Sequence, residues 1–385
     1  MNVLLVSEPG ENGVFRYVDG LARFLVDHGV TVHLAYSDRR SGAQLPELVS
    51  FVQDHGGATL NLATGNAPAL SDVPALWSLL ALVRRVRPDV IHSHSSKAGV
   101  LARVLAALGI RARQVYHPHA YAGMRVQSSV QHLVYDTVEQ WLGFLGMTVN
   151  VSSDEHAYAR DRLRLPGDHT VCIANGIDTA VFRPPTWLEK RELRREFGLP
   201  EDALILGTLG RASVQKDPVT LYRAVAQAAA SHPRLHLFHV GCGELEQEID
   251  RIAHEPPLRG RVLRLPFLAA PERFYRTLDG FILTSLYEGL SLAALEALAC
   301  NLPLILSDAP GNRALLDLGL THTHAAPIGD SAAFADCIAA WARTRHTPAD
   351  SNHRTRAIEQ YDSRHCFHRV LELYEQPELS LLKAV

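Results

Sequence analysis

The chain has 385 residues, two to three times a typical domain of about 150, so we expect two domains. It is 47% hydrophobic and 21% charged, with 38 basic against 41 acidic side chains. This balance excludes a disordered chain and disfavours a nucleic-acid partner. Five cysteines without a CxxC pair, and a start without a basic leader, favour a reduced, cytoplasmic protein. No apolar run is long enough to predict a membrane span.

Short apolar runs alternate with helical spacing over the first 180 residues. Strands are predicted at 2–7, 30–36, 89–92, 114–117 and 171–174, and helices at 14–27, 73–86, 98–108 and 154–163. Buried strands separated by helices of this length predict a parallel, doubly wound sheet.

The alternation restarts after Pro184-Pro185, which neither a helix nor a central strand accommodates. Strands are predicted at 204–209, 235–241, 262–265, 281–284 and 304–306, helices at 218–230, 245–253 and 292–299, and a closing helix from 362. The sequence therefore predicts two tandem Rossmann-like α/β domains, 1–180 and 181–361, facing a central cleft. Residues 362–385 are expected to return to the first domain. Ligands of such sheets bind beyond the carboxyl ends of the strands.

The loop GTLGRASVQKD follows the strand at 204–209 and combines glycines with Arg211 and Lys216. Two cations beside a helix start are suited to a diphosphate. An ordinary charged surface loop is the alternative. The next Gly-rich loop, GCGELEQEI, is a weaker signal because tight turns use glycine for geometry alone.

The most specific stretch is TSLYEGLSLAALEALAC, where Glu288 lies in a loop and Glu296 in the following helix. The amides of Gly289, Leu290 and Ser291 at the helix start suit a phosphate. Glu296 has apolar neighbours, so its carboxylate needs a partner, such as two adjacent ribose hydroxyls.

Histidine pairs recur two residues apart, which places both rings on the same side of an extended chain. They are His92/His94, His117/His119 and His322/His324. Metal coordination is one interpretation, but no Asp or Glu lies in either loop of the first domain. We therefore expect no metal site.

The segment from Arg84 to Tyr135 has eight basic residues and one acid, Asp89, in a chain of net charge −3. This excess of +7 is either a solvated face or a surface that attracts anionic lipid or a phosphorylated acceptor. Nearby apolar residues at 141, 142, 144 and 145 would favour docking on a membrane.

The segments YEGLSLAALEALACNLPLI, GRASVQKD, GCGE and IANGIDTAVFRP resemble the retaining glycosyltransferases of family four, which have the GT-B fold. The resemblance implies that Arg211 and Lys216 bind the donor diphosphate and Glu296 the ribose. It also implies that Glu288 and His119 lie beside the transferred sugar at the reaction centre.

The resemblance extends to members that build bacterial surface polysaccharides on lipid carriers. It implies a backbone contact at Gly13 and an acceptor side at Ser95, Ser96 and Lys97, and it makes the Asn-Gly-x-Asp turn at Asn175 a structural feature. Cys242, where an acid is common, leaves base and sugar recognition open.

The sequence thus predicts a retaining, metal-independent transferase that uses a UDP-sugar as donor and needs no cofactor. The expected acceptor is a lipid-diphosphate-linked saccharide, reached from an anionic membrane surface at the cytoplasmic face of the inner membrane. A sugar-nucleotide epimerase on the same fold and a non-catalytic nucleotide-sugar-binding protein are the alternatives.

Overall fold

The structure, a computed structural model, describes residues 1–10, 12–39, 42–65, 68–124, 129–344 and 352–376. It contains two compact units. The first comprises Met1–Gly176 and the segment that begins at Ser363, and the second comprises Ile177–Asp362. Arg125 of the basic segment and the last nine residues of the chain lie outside the described ranges.

The first unit is a parallel sheet of seven strands covered by helices. The strands are β1 (Asn2–Ser7), β2 (Thr31–Tyr36), β3 (Thr59–Asn61), β4 (Val90–His94), β5 (Arg113–His117), β6 (Met147–Asn150) and β7 (Thr170–Cys172), in the order β3-β2-β1-β4-β5-β6-β7. The helices are α1 (Asn12–Asp27), α2 (Leu45–Asp54), α3 (Asp72–Val86), α4 (Ser96–Ala107), α5 (Ser129–Gly143) and α6 (Ser153–Ala157), which continues into a π-helical turn. Side chains from both faces of β1 are fully buried, which explains its uninterrupted apolar run.

The second unit is a six-stranded parallel sheet. Its strands are β8 (Leu204–Leu209), β9 (Leu235–Val240), β10 (Val262–Leu265), β11 (Gly280–Leu283), β12 (Leu304–Ser307) and β13 (Thr323–Ala326), in the order β10-β9-β8-β11-β12-β13. Its helices are α7 (Trp187–Glu196), α8 (Pro218–Ala229), α9 (Glu246–Ala253), α10 (Pro271–Tyr275), α11 (Leu292–Ala299), α12 (Arg313–Leu316), α13 (Ser331–Arg343) and α14 (His353–Tyr361). The predicted pair of Rossmann-like α/β units is confirmed.

The chain passes from the first unit to the second at Gly176 and returns at Ser363, where α15 (Ser363–Glu375) begins. A Cβ at Gly176 would lie 2.5 Å from the Ser363 Cα, so only glycine fits. Asp178 Oδ1 accepts hydrogen bonds from the backbone N–H groups of Ala180 and Val181. The Asn-Gly-x-Asp motif thus forms a structural turn at the passage.

The helix α5 has an inverted pattern of polarity. Glu139 is buried and accepts hydrogen bonds from Arg103 Nη2 and Tyr116 Oη, each at 2.8 Å. The other face carries exposed apolar side chains, namely Val130, Leu133, Val134, Val138 and Trp141, and Phe144 follows the helix. This helix therefore presents its apolar face to solvent and its carboxylate to the interior.

Several cations of the basic segment have internal partners. Arg103 is buried, Lys97 pairs with Asp72 at 2.9 Å, and Arg113 donates to the backbone carbonyls at the end of α15. Arg84, Arg85 and Arg87 are exposed. Net charge along the sequence therefore overstates the positive charge of the surface.

No helix within the described ranges combines the length and the apolar character needed to cross a bilayer. The five cysteines, all of which are described, are free thiols.

We predict that Arg103→Met destabilises the first unit by about 3–5 kcal/mol, because it leaves the buried Glu139 carboxylate without its cation. The midpoint of thermal unfolding should fall by roughly 6–15 °C. Arg84→Met, at an exposed position on α3, is the matched control and should leave the midpoint nearly unchanged. An equal effect of both substitutions would contradict a structural role for the ion pair.

Candidate active site

Two loops of the second unit are held together at the carboxyl ends of the neighbouring strands β8 and β11. Thr284 Oγ1 lies 2.9 Å from the backbone carbonyls of both Lys216 and Asp217, to which it can donate. The Leu286 N–H donates to the Gln215 carbonyl at 2.8 Å, and Gln215 Nε2 donates to the Tyr287 carbonyl at 3.1 Å. These bonds fix the position of the segment 215–217 against the segment 284–287.

The loop pairing places Lys216 against Glu288. Lys216 Nζ lies 2.5 Å from Glu288 Oε1, which also accepts a hydrogen bond from Ser285 Oγ at 2.6 Å. Glu288 is 6% exposed, whereas the Lys216 side chain is 23% exposed. An ammonium has three donors, so Lys216 can hold Glu288 and still bind a further anion.

The turn after Glu288 leads directly into α11. Ser291 is its N-cap, and its hydroxyl accepts from the Ala294 N–H. Gly311 packs closely against the backbone of this turn. Its φ is +84°, and a Cβ there would lie 2.4 Å from the Glu288 carbonyl oxygen. The helix start, with its positive dipole end, therefore lies immediately after the Lys216–Glu288 pair along the chain.

Glu296 is buried in α11, and Tyr275 Oη donates to its Oε2 at 2.7 Å. The carboxylate thus has the polar partner that its apolar surroundings require. Its proposed bond to ribose remains a prediction.

Arg211 points towards the loop after β9. Its guanidinium lies 3.7 Å from Glu244 Oε2, and both side chains are about half exposed. The glycines of the GCG segment serve close packing there: a Cβ at Gly241 would lie 2.0 Å from the Gly210 carbonyl. Lys216 pairs with Glu288, whereas Arg211 does not and is about half exposed to solvent.

Apart from Gly13, the predicted site residues of the first unit follow the ends of β4 and β5. Ser95, His119 and Ala120 all have positive φ, at +84°, +52° and +87°. Such backbone is costly for residues other than glycine and is common at functional sites. The Ser95 N–H donates to the His117 carbonyl at 3.1 Å, which joins the two strand ends.

Glu155 supports the strained segment after β5. One of its carboxylate oxygens accepts from the Ala120 N–H and the other from the Val151 N–H, each at 2.6 Å. Burial raises the pKa of Glu155 to about 7, although these two N–H groups act in the opposite direction. Glu155 therefore positions the backbone next to His119.

The half-buried His119 ring stacks on His117, with centroids 4.4 Å apart and planes 7° apart. Its Nε2 lies 3.2 Å from His94 Nδ1. Desolvation by burial lowers the pKa of His119 to about 3, so the imidazole is neutral at physiological pH. A neutral imidazole can exchange hydrogen bonds with a sugar hydroxyl.

The other predicted residues of the first unit lie at the starts of helices. Gly13 lies in the first turn of α1, and Ser95 precedes α4. Lys97 reaches both oxygens of Asp72, at 2.9 and 3.0 Å, which joins α4 to α3.

Sequence reasoning missed the residues that position the site. Ser285 and Tyr275 bind the two glutamates, yet nothing in their sequence spacing marks them. Glu155 had a signal, because Ser152 and Glu155 form the Ser-x-x-Glu pattern of a helix start. In the structure the Glu155 carboxylate instead accepts hydrogen bonds from the Val151 and Ala120 N–H groups.

Two family models match the chain. "Glycosyltransferase Family 4" matches residues 11–181, and "Glycosyl transferases group 1" matches residues 189–360. The galactosyltransferase of Escherichia coli named for UDP-Gal and GlcNAc-diphosphoundecaprenol is 27% identical over 65% of this chain and 66% of its own. The chain thus spans just under two thirds of that relative. A D-inositol 3-phosphate glycosyltransferase of Stackebrandtia nassauensis is 29% identical over 79% of this chain and 74% of its own.

A solved structure of Anabaena HepE in complex with UDP and glucose superposes with a TM-score of 0.81 at 19% identity. The match covers 97% of this chain and 99% of HepE, and at this identity it shows the shared fold. The first match includes every strand of the first unit except β1, and the second includes all six strands of the second unit. The chain therefore belongs to glycosyltransferase family four and has its two-unit GT-B architecture.

Proposed function

We propose that this protein is a retaining glycosyltransferase that moves a sugar from a UDP-sugar to a lipid-diphosphate-linked saccharide in bacterial surface polysaccharide synthesis. The observation that carries the proposal is the Lys216–Glu288 pair beside the start of α11. It joins a cation, a carboxylate and a helix N-terminus within one unit.

The second unit is proposed to bind the donor. Lys216, Arg211 and the amides of residues 289–291 neutralise the diphosphate, and Glu296 accepts from the ribose. These groups stabilise the negative charge that develops on the departing diphosphate. Because protein cations provide that charge, Mg²⁺ or Mn²⁺ is not required at the diphosphate.

Transfer is proposed to proceed on one face of the sugar. The bond between the anomeric carbon and the diphosphate oxygen breaks while the acceptor oxygen bonds to the same face of that carbon. The acceptor proton passes to a phosphate oxygen of the leaving diphosphate. Glu288 stabilises the positive charge on the sugar; its pairing with Lys216 and Ser285 makes it a poor nucleophile. The neutral His119 of the first unit binds a sugar hydroxyl.

The first unit is proposed to receive the acceptor at an anionic membrane surface, with Ser95, Ser96 and Lys97 on the acceptor side. The exposed apolar face of α5 supports this role, since exposure of a contiguous apolar patch to water costs free energy. The Escherichia coli relative, whose name includes a diphosphoundecaprenol-linked GlcNAc, supports the choice of a lipid-linked acceptor.

We predict that Lys216→Met lowers kcat/KM for transfer by about 100-fold or more, because a cation worth about 3 kcal/mol in the transition state is lost. Arg211→Ala should act in the same direction. The donor is first identified by thermal stabilisation across a set of nucleotide sugars, and transfer to a polyprenyl-diphosphate saccharide is then measured.

The matched control for Lys216→Met is Lys190→Met, which removes another partly buried lysine, paired with Asp279 at 2.7 Å in the same unit. It should lower stability without a comparable loss of transfer. Transfer within threefold of wild type in Lys216→Met would refute the donor site. Nucleotide release without acceptor would instead indicate a hydrolase, and conversion of the donor into another nucleotide-sugar would indicate an epimerase.

We expect that omission of Mg²⁺ and Mn²⁺ changes the rate of transfer by less than about twofold, because Lys216 and Arg211 supply the positive charge. The measurement is the initial rate in buffer freed of both ions, with and without their return. A tenfold rise when either ion is restored would show that the diphosphate needs a metal.

The apolar face of α5 should bind vesicles that contain anionic lipid. Trp141→Ser combined with Phe144→Ser should weaken co-sedimentation by about 10-fold or more, since two large apolar side chains no longer enter the interface. Trp187→Ser is the matched control, because Trp187 in the second unit is as exposed as Trp141 (73% and 75%). Binding that is unaffected by the double substitution, by salt and by anionic lipid content would contradict the docking surface.

A further inference from the structure

Three histidines of the first unit form a buried cluster on one face of the sheet. His92 and His94 lie two residues apart on β4, and His94 is in register with His117 on β5. All three side chains have no exposed surface. One ring nitrogen of each histidine lies within 4.8 Å of a ring nitrogen of each of the other two.

Four nitrogens of this cluster have no hydrogen-bond partner in the described part of the chain. They are His92 Nε2, His94 Nε2 and both nitrogens of His117. Buried polar atoms are nearly always paired, so an unpaired group of this size calls for a ligand. Three converging imidazole nitrogens are a ligand set for a transition metal.

His92 and His94 each have a partner at Nδ1 that can orient the ring. His92 Nδ1 lies 2.5 Å from Tyr374 Oη, and His94 Nδ1 lies 3.2 Å from His119 Nε2. When each Nδ1 carries the ring proton and donates it to that partner, the unpaired Nε2 keeps a free lone pair that a metal can bind. Metal-bound histidines use the same arrangement, in which an outer partner fixes the tautomer. Burial lowers the pKa of all three histidines, which keeps the rings in the neutral form that metals bind.

We propose that His92, His94 and His117 bind one Zn²⁺ ion, with a water molecule or hydroxide as the fourth ligand. Tetrahedral Zn²⁺ takes imidazole nitrogens at about 2.0–2.1 Å, so the three nitrogens approach to about 3.3 Å of one another when the ion binds. Small ring rotations achieve this from separations of at most 4.8 Å.

The site goes beyond the proposed transfer reaction. It is made of residues of the first unit, none of which is proposed to bind the donor diphosphate. The ion links β4 to β5 directly and to α15 through Tyr374. Binding of the ion can be measured directly, so the test does not depend on activity.

The first test uses the full-length wild-type protein, stripped with a chelator and dialysed. Titration with Zn²⁺ against a competing chelator should give one tight site per chain. X-ray absorption of the loaded protein should show three imidazole nitrogens at about 2.0–2.1 Å, and Co²⁺ in place of Zn²⁺ should give the visible absorption of a tetrahedral site. Absence of a tight site, or a coordination shell of oxygen atoms, would overturn the proposal.

The second test compares matched substitutions. Tyr374→Phe removes the partner of His92 and should weaken Zn²⁺ binding by about 10–100-fold. Tyr222→Phe is its control, because Tyr222 Oη bonds His239 Nδ1 at 3.0 Å in the second unit, and it should leave affinity unchanged.

His117→Gln should weaken binding by at least about 100-fold, since loss of a ligand costs more than loss of its outer partner. His239→Gln is the corresponding control. Full affinity in folded His117→Gln, checked by circular dichroism, would refute the site. If that variant does not fold, the wild-type absorption measurement and the Tyr374→Phe comparison decide the question.

Discussion

The hydrogen bonds between the loops after β8 and β11 determine what the second unit can bind. β8 is flanked by β9 on one side and β11 on the other, so the connections that leave β8 and β11 run in opposite directions along the sheet. Open α/β sheets bind ligands at such reversals. Thr284 and Gln215 join the two loops there, and the ammonium of Lys216 consequently meets the carboxylate of Glu288. Without this pairing of loops the two charges would belong to separate surface segments.

The buried polar groups of the first unit fall into two kinds. The Arg103–Glu139 pair and the Glu155 carboxylate have their partners within the protein, and each connects elements that are distant in sequence. Of the three histidines of β4 and β5, His92 and His94 each have a partner at Nδ1 but not at Nε2, and neither nitrogen of His117 has a partner among the described residues. The difference is physical: a satisfied buried group stabilises the fold, whereas an unsatisfied one costs free energy until something binds it.

Much of the fold could be predicted because buried parallel strands such as β1 and β8 read as continuous apolar runs. The strand β13, THAA, lies at the edge of its sheet without such a run and was missed. The helix α7 was missed although Thr186 and Glu189 form a capping box. The paired glutamates were recognised from local sequence. The Lys216–Glu288 contact, across 72 residues, depends on sheet order, which spacing does not contain. The charge count of the basic segment also included Arg103, because composition does not show that this side chain is buried.

The return of the chain to the first unit at α15 has a consequence for biosynthesis. Translation starts at the N-terminus, so β1 to β7 leave the ribosome long before α15 does. Until then, α1 lacks Phe367, which contacts Tyr17 and Phe24, and His92 lacks the hydroxyl of Tyr374. The nascent first unit therefore keeps an apolar face uncovered while the whole second unit is translated. The first unit can be completed only after the second unit has been translated, so chaperones can meet that face during elongation.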